Sequence, residues 1–269
     1  MVKNVWKAHL VSFILVFLLS CTINPTYSRK NILNEIRNIC KDEFDIEVKV
    51  RFTGETLWIY APFDKLVNQD GRWNQKAQDA RLKIFHTLGR VFLSMDNPPK
   101  LYCFLASNTK RVGIDTYTIG YIPDMIKFDL GFISLPQRDE RVVFLSFPNP
   151  GAIDDIDGNH IQEYDIPIGE FIAYLVRQNI QNKFISPSLN NNFQVKKVFT
   201  HYWMNNLKVN FDIRTIKPEV GLINPSDQVK KTIKEILDIY NSSGNIVEIE
   251  VNNLLTGDVG IYTPQRLAQ

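Results

Sequence analysis

The chain has 269 residues, of which 44% are hydrophobic, and carries 31 Lys and Arg against 29 Asp and Glu for a formal charge of +2. That is enough apolar material to bury a sizeable core, and the length suggests one or two domains. No basic tract is longer than the pairs Lys196-Lys197 and Lys230-Lys231, so there is no excess of cations to neutralise several phosphates, which argues against a nucleic-acid partner.

The first pattern is an apolar run from Leu10 to Leu19, broken only by Ser12 and preceded by Lys3 and Lys7 with no acidic residue. Ten helical residues span about 15 Å, roughly half of a bilayer's hydrocarbon core, so the run reads as a secretory signal rather than a span. It ends in Leu18-Leu19-Ser20-Cys21, which resembles the lipobox of bacterial lipoproteins; Leu19 departs from the pattern, where a smaller residue is commoner. The resemblance implies that residues 1–20 are removed as a lipoprotein signal peptide. The Cys21 thiol then carries a diacylglyceryl group and the new amino terminus a further acyl chain, such as palmitate. Two or three acyl chains hold a protein stably on a membrane where one does so only marginally. An ordinary cleavable signal and an uncleaved anchor are the competing readings.

Cleavage would leave 29 basic against 29 acidic residues, a mature charge near zero. Residues 21–27 then form a short tether of about 20 Å, placing the folded part close to the lipid. By the same resemblance, Thr22 rather than Asp after the cysteine favours the outer membrane, facing the periplasm, in a host with two membranes.

From Ser28 onward the chain alternates between two periods. Ile32, Ile36, Ile39 and Cys40 lie on one helical face, with Ser28 as the expected N-cap. Ile46, Val48, Val50 and Phe52 then alternate with Glu47, Lys49 and Arg51, and a turn at Thr53-Gly54 returns the chain as LWIYAP, a hairpin. A second helix bears Ile84, Leu88, Val91, Phe92 and Met95, followed by strands KLYCFLAS and VGIDTYTIGY, and VVFLSF at 142–147 adds another strand. A third helix carries Ile168, Phe171, Ile172, Leu175 and Val176. After it comes FQVKKVFTHYW, whose spacing fits a strand or a helix, and then alternating Val209, Phe211 and Ile213. The fourth helix opens at Ser226 with Val229, Ile233, Ile236 and Leu237, and leads to alternating Val247, Ile249 and Val251 and to GIYTP.

Four helix-strand-strand units are therefore expected. They predict an α+β class in which repeated α-β-β units form antiparallel sheets with helices on one face. The first and last units are offset by 197 residues in the helix, 201 in the first strand and 202 at Ile59-Tyr60 against Ile261-Tyr262. Duplication is one explanation and shared amphipathic spacing the other. PNPGAIDDIDGN at 148–159 interrupts the periodicity and reads as a linker between an N-terminal domain, 28–147, and a C-terminal domain, 160–269.

Chemistry is sparse. The chain has no HExxH, GxSxG, GxxxxGK[ST] or GxGxxG motif, and no cofactor is implied. The acidic group Asp154, Asp155, Asp157, His160, Glu163 and Asp165 has the oxygen density of a Ca²⁺ site, but with Gly158 at position 6 the EF-hand positions 1 and 12 fall on Ile153 and Tyr164, which fails. Asp155, Asp157, His160 and Glu163 stay as metal candidates, with a solvated linker as the plainer reading. Tyr202 and Trp203, beside His201, are binding candidates because aromatics with one wet edge are common at docking sites. Cys40 and Cys103 either pair in an oxidising envelope or serve as small core residues. The leading expectation is a membrane-anchored envelope lipoprotein acting as a non-enzymatic binding, assembly or scaffold protein for another envelope or cell-wall component. The alternative is an envelope metal-assisted hydrolase built on the acids around His160.

Overall fold

The computed structural model describes residues 27–267 apart from 69, 111, 187, 188, 190, 191 and 217–223. Cys21, the signal segment and the tether up to residue 26 lie outside the described residues. No helix among the described residues is long and apolar enough to cross a membrane.

The first half runs α1 (Ile32–Phe44), β1 (Lys49–Thr53), β2 (Thr56–Phe63), α2 (Gln75–Leu93), β3 (Leu101–Asn108) and β4 (Ile114–Tyr121). Two short helices, α3 (Ile122–Asp129) and α4 (Leu135–Glu140), and strand β5 (Val142–Pro148) follow. The second half runs α5 (Ile168–Ile185), β6 (Phe193–Trp203), β7 (Asn206–Thr215), α6 (Pro225–Gly244), β8 (Glu248–Asn253) and β9 (Val259–Tyr262). The expected α+β class and its four helix-strand-strand units are present; the two sheets, expected to be antiparallel with helices on one face, are both mixed, and the first of them is covered by helices on both faces. The ambiguous stretch at 193–203 is a strand, with a bulge between Val195 and Lys197.

Each sheet contains one parallel pair. Sheet one has the order β1-β2-β3-β4-β5, with β2 parallel to β3 and its other pairs antiparallel. Sheet two has the order β6-β7-β8-β9, with β7 parallel to β8. Both arise because a hairpin is followed by a helix that carries the chain back to start the next hairpin alongside, as parallel pairing requires. The repetition is thus of half upon half, α-β-β-α-β-β twice, and α3, α4 and β5 are extra to the first copy.

Residues on the two faces of sheet one join different cores. Leu57, Ile59, Tyr102, Phe104 and Ala106 pack with α1 and α2, whereas Trp58, Leu101, Cys103, Ile119 and Val143 belong to a cluster shared with α5, α6 and sheet two. That alternation is the period of two expected of strands covered on both sides. On α5 the buried positions run through Phe171, Ile172, Ala173, Leu175 and Val176, nearly round the helix, as befits a helix lying between two sheets. The layers are therefore α1 with α2, sheet one, α5 with α6, and sheet two.

Several local expectations change. Ser28 contributes its backbone carbonyl to the turn before α1 and not a side-chain cap. In α6 the cap is Asn224, whose Oδ1 accepts from Ser226 N at 2.9 Å; Pro225 occupies the first helical position, where its missing N–H costs nothing. Cys40 and Cys103 are free and buried, on opposite faces of sheet one.

The pairing of the first and last units holds at Val48 with Ile249 and Val50 with Val251, all buried. It fails at Tyr60 and Tyr262, because Tyr60 lies opposite Lys49 while Tyr262 lies opposite Ile249. Cross-strand partners share a face, so the two tyrosines point to opposite sides of their apolar stripes. Val247, matched to half-buried Ile46, is 59% exposed, and its neighbour Ile246 is buried instead. The chain leaves both helices through a left-handed residue, Asp45 or Asn245. From there the first copy takes three residues to reach Val48 and the second takes four to reach its match, Ile249.

Candidate functional site

The acidic segment between the halves is strapped to sheet one. Tyr60 donates to the Asp155 carbonyl at 2.5 Å, Trp58 Nε1 to the Tyr164 carbonyl at 3.0 Å, and Thr56 Oγ1 to Asp165 at 3.2 Å. The free-linker reading is therefore replaced by a segment lying across β2.

Within this strap His160 bridges two carboxylates. Its Nδ1 is 2.6 Å from Asp155 Oδ2 and its Nε2 is 3.3 Å from Asp115 on β4. Asp115 is fully buried and accepts further bonds from Ser107 Oγ at 2.5 Å and Asn149 Nδ2 at 2.6 Å. Burial raises the Asp155 carboxyl, but hydrogen bonds from the His160 ring and from the backbone N–H groups of His160 and Asn159 outweigh it and hold the pKa at about 2. Tyr60, edge-on to the His160 ring, is pushed up to about 12, chiefly by burial.

A nucleophile-and-base pair would need Ser107 to donate to the imidazole; it donates to Asp115 instead, and Ser107 is completely buried. The other metal candidates face elsewhere. Asp157 pairs with Lys49 at 2.9 Å and Glu163 with Arg51 at 3.6 Å. Among the described residues no group of three His, Cys, Asp or Glu side chains is arranged to hold a metal ion. The cluster works as a polar clamp fixing the strap to β3 and β4.

A second arrangement has no counterpart in the sequence motifs. Above the β4–β5 end of sheet one, on the side carrying α1 and α2, the extra helices α3 and α4 stand off from α2 and leave a cavity of about 240 Å³. Tyr102 and Thr118 form part of its floor and Phe85, Phe128 and Phe144 part of its walls. The floor is open because Tyr102 lies over Gly120, its partner across the strands; a Cβ at Gly120 would sit 2.4 Å from the Tyr102 ring.

Three arginines line the same cavity. Arg138 is 2.7 Å from Asp139 and lies over the Phe128 ring at 4.6 Å. Arg141 is 3.2 Å from buried Asp124, which also takes Lys127 at 3.8 Å and the Tyr240 hydroxyl. Arg81 has no ion pair among the described residues; its guanidinium carbon is 4.9 Å from the Trp73 ring centre and 5.9 Å from that of Phe85. Its Nε is buried without a hydrogen-bond partner among the described residues, and so is the Thr118 hydroxyl. Burial, and then the charge of Arg138, lower the Arg81 pKa, with Asp139 opposing. Burial drives the Tyr102 phenol far above its usual range against the pull of Arg138 and Arg81. Burial also raises the Asp129 carboxyl at the rim, against His86 and Arg138.

The two aromatic candidates separate. Tyr202 packs over Gly169 at the start of α5, its hydroxyl donating to Asn205 at 2.9 Å, whereas Trp203 is 63% exposed on the outer side of sheet two. The capping box at Ser134 and Gln137 that starts α4 was a legible signal for part of the cavity wall. No protein family, curated protein or solved structure matches the chain.

Proposed function

We propose that this chain is a lipid-anchored envelope protein that binds a small ligand without transforming it, and presents its outer surfaces to another envelope or cell-wall component. The cavity under α3 and α4 carries the reading: it is lined by aromatic rings and holds a cation and a hydroxyl with unmet bonding capacity. Apolar walls with a few polar groups are the common makeup of ligand sites, and two of the three wall rings, Phe128 and Phe144, come from elements added to the repeated framework. The LLSC sequence at 18–21 supports the anchor. The hydrolase reading loses support because both His160 ring nitrogens are engaged and its side chain is only 7% exposed.

Two measurements test the proposal. Labelling cells with a fatty-acid analogue should mark the parent and not Cys21→Ser, and equal incorporation refutes the anchor. A thermal-shift screen of the full chain with small acids, bases and neutral aromatics should give stabilisation that is lost when Met125→Trp fills the cavity. No stabilisation by any compound refutes the ligand site.

A further inference from the structure

Three arginines and three aspartates line the cavity, but they do not all pair: Arg81 on its wall and Asp129 at its rim stand without an ion pair among the described residues, and the unpaired cation points to a ligand class. Arg138 is matched by Asp139 and Arg141 by Asp124. Arg81 is left facing ring planes, with a buried Nε that donates to nothing among the described residues. Thr118, 2% exposed on the floor, likewise has a hydroxyl without a partner there. A half-buried guanidinium whose Nε is closed off from water and bonded to nothing among the described residues gains from an anion that completes it. A planar carboxylate is the group its fork of N–H donors fits, through two parallel bonds.

We propose that this cavity binds a monocarboxylate with a compact aromatic body, the carboxylate on Arg81 and Thr118 and the ring among Phe85, Phe128 and Phe144. This rests on the ligand-binding reading above and adds its chemistry. Single charge follows from the neighbours: Asp124, Asp129 and Asp139 also line the space, so a phosphate dianion would meet three carboxyl groups with one unmatched cation. An aromatic body follows from the walls, where ring edges and faces meet a flat guest at favourable offsets. Size follows from the volume. At about 240 Å³ the cavity exceeds the ~150 Å³ apolar cavity that takes up benzene, which leaves room for a single-ring acid.

The test is calorimetric titration of the detergent-solubilised full chain with four probes: 3-phenylpropionate, 3-phenylpropanol, 3-phenylpropylamine and phenyl phosphate. The acid should bind saturably and at least tenfold more tightly than each of the others. Arg81→Met should weaken the acid at least tenfold while leaving the alcohol unchanged, and Thr118→Val should weaken the acid severalfold. Arg81→Met is expected to remain folded, since it removes a cation without an ion partner, and its circular dichroism and melting curve are recorded alongside. If it does not fold, Arg81→Lys, which keeps the charge and loses the fork, takes its place and should also weaken the acid. Alcohol, amine or phosphate binding as tightly as the acid, or acid binding indifferent to both Arg81 and Thr118, overturns the ligand class and leaves the binding function standing. Absence of binding by all four probes overturns the class; a blank in the wider thermal-shift screen as well overturns both.

Discussion

Tyr240 of α6 donates its hydroxyl to Asp124 of α3, joining two buried side chains 116 residues apart. The bond runs from the second half of the chain to a wall of the cavity. Its acceptor is also held by Arg141 at 3.2 Å. A hydrogen bond to a charged group is worth about 1.5–3 kcal/mol. Tyr240→Phe should therefore lower the unfolding free energy by that amount in urea titration, with little change in the denaturant slope.

The strap predicts an acid-sensitive stability. The Asp155 carboxyl sits at about 2 in the folded chain against an ordinary 3.8. A depressed folded value means that the contribution is complete above the unfolded pKa and is lost as pH falls through 3.8 towards about 2. Asp155→Ala should cost about 1–2 kcal/mol at neutral pH, and the gap between parent and variant should close in that acid window. A gap independent of pH would show that the carboxylate's charge is not what holds the strap.

Alternation in the first strand predicts a sharp contrast between neighbours. Val48 is 7% exposed and packs in the core with α1, whereas Lys49 lies outside and pairs with Asp157. A carboxylate at position 48 would enter apolar surroundings without a partner, at a cost of several kcal/mol. Lys49→Asp loses one exposed ion pair worth about 0–1 kcal/mol. Val48→Asp should abolish the cooperative melt, and Lys49→Asp should move it by a few degrees at most.

The cysteines predict a chemical silence. Cys40 lies among α1 and α2 side chains and Cys103 on the far side of the sheet, with burial the main cause raising both thiols. The thiolate is the reactive form, so neither should react with a thiol reagent in the native chain. Both should titrate in denaturant without reductant. A single equivalent, or none, in denaturant would contradict the free thiols.

How much was legible can be traced through particular residues. Ile32, Ile36 and Ile39 announced α1, and Val209, Phe211 and Ile213 announced β7, because each has one covered face and so a clean period. Residues 122–141 carried no such stripe: the helices there are 8 and 6 residues long, too short to repeat a period, and the cavity they roof was missed with them. The clustering of Asp155 and His160 was visible, but their partner Asp115, 45 positions from His160, was not, because only the fold brings it near. The likeness of first and last units was a local one. The parallel pairs β2-β3 and β7-β8, which reveal the half-on-half repeat, depend on crossovers that amphipathic spacing does not encode.

The sharing of α5 and α6 by both sheets has a consequence for how the polypeptide is made. Until those helices are synthesised, the face of sheet one bearing Trp58, Leu101, Cys103, Ile119 and Val143 has nothing to cover it. The first 150 or so residues would emerge as a sticky intermediate whose apolar side invites association. If the chain crosses a membrane before folding, as the proposed anchor requires, that hazard falls outside the compartment of synthesis, and protection would have to come from whatever receives it there.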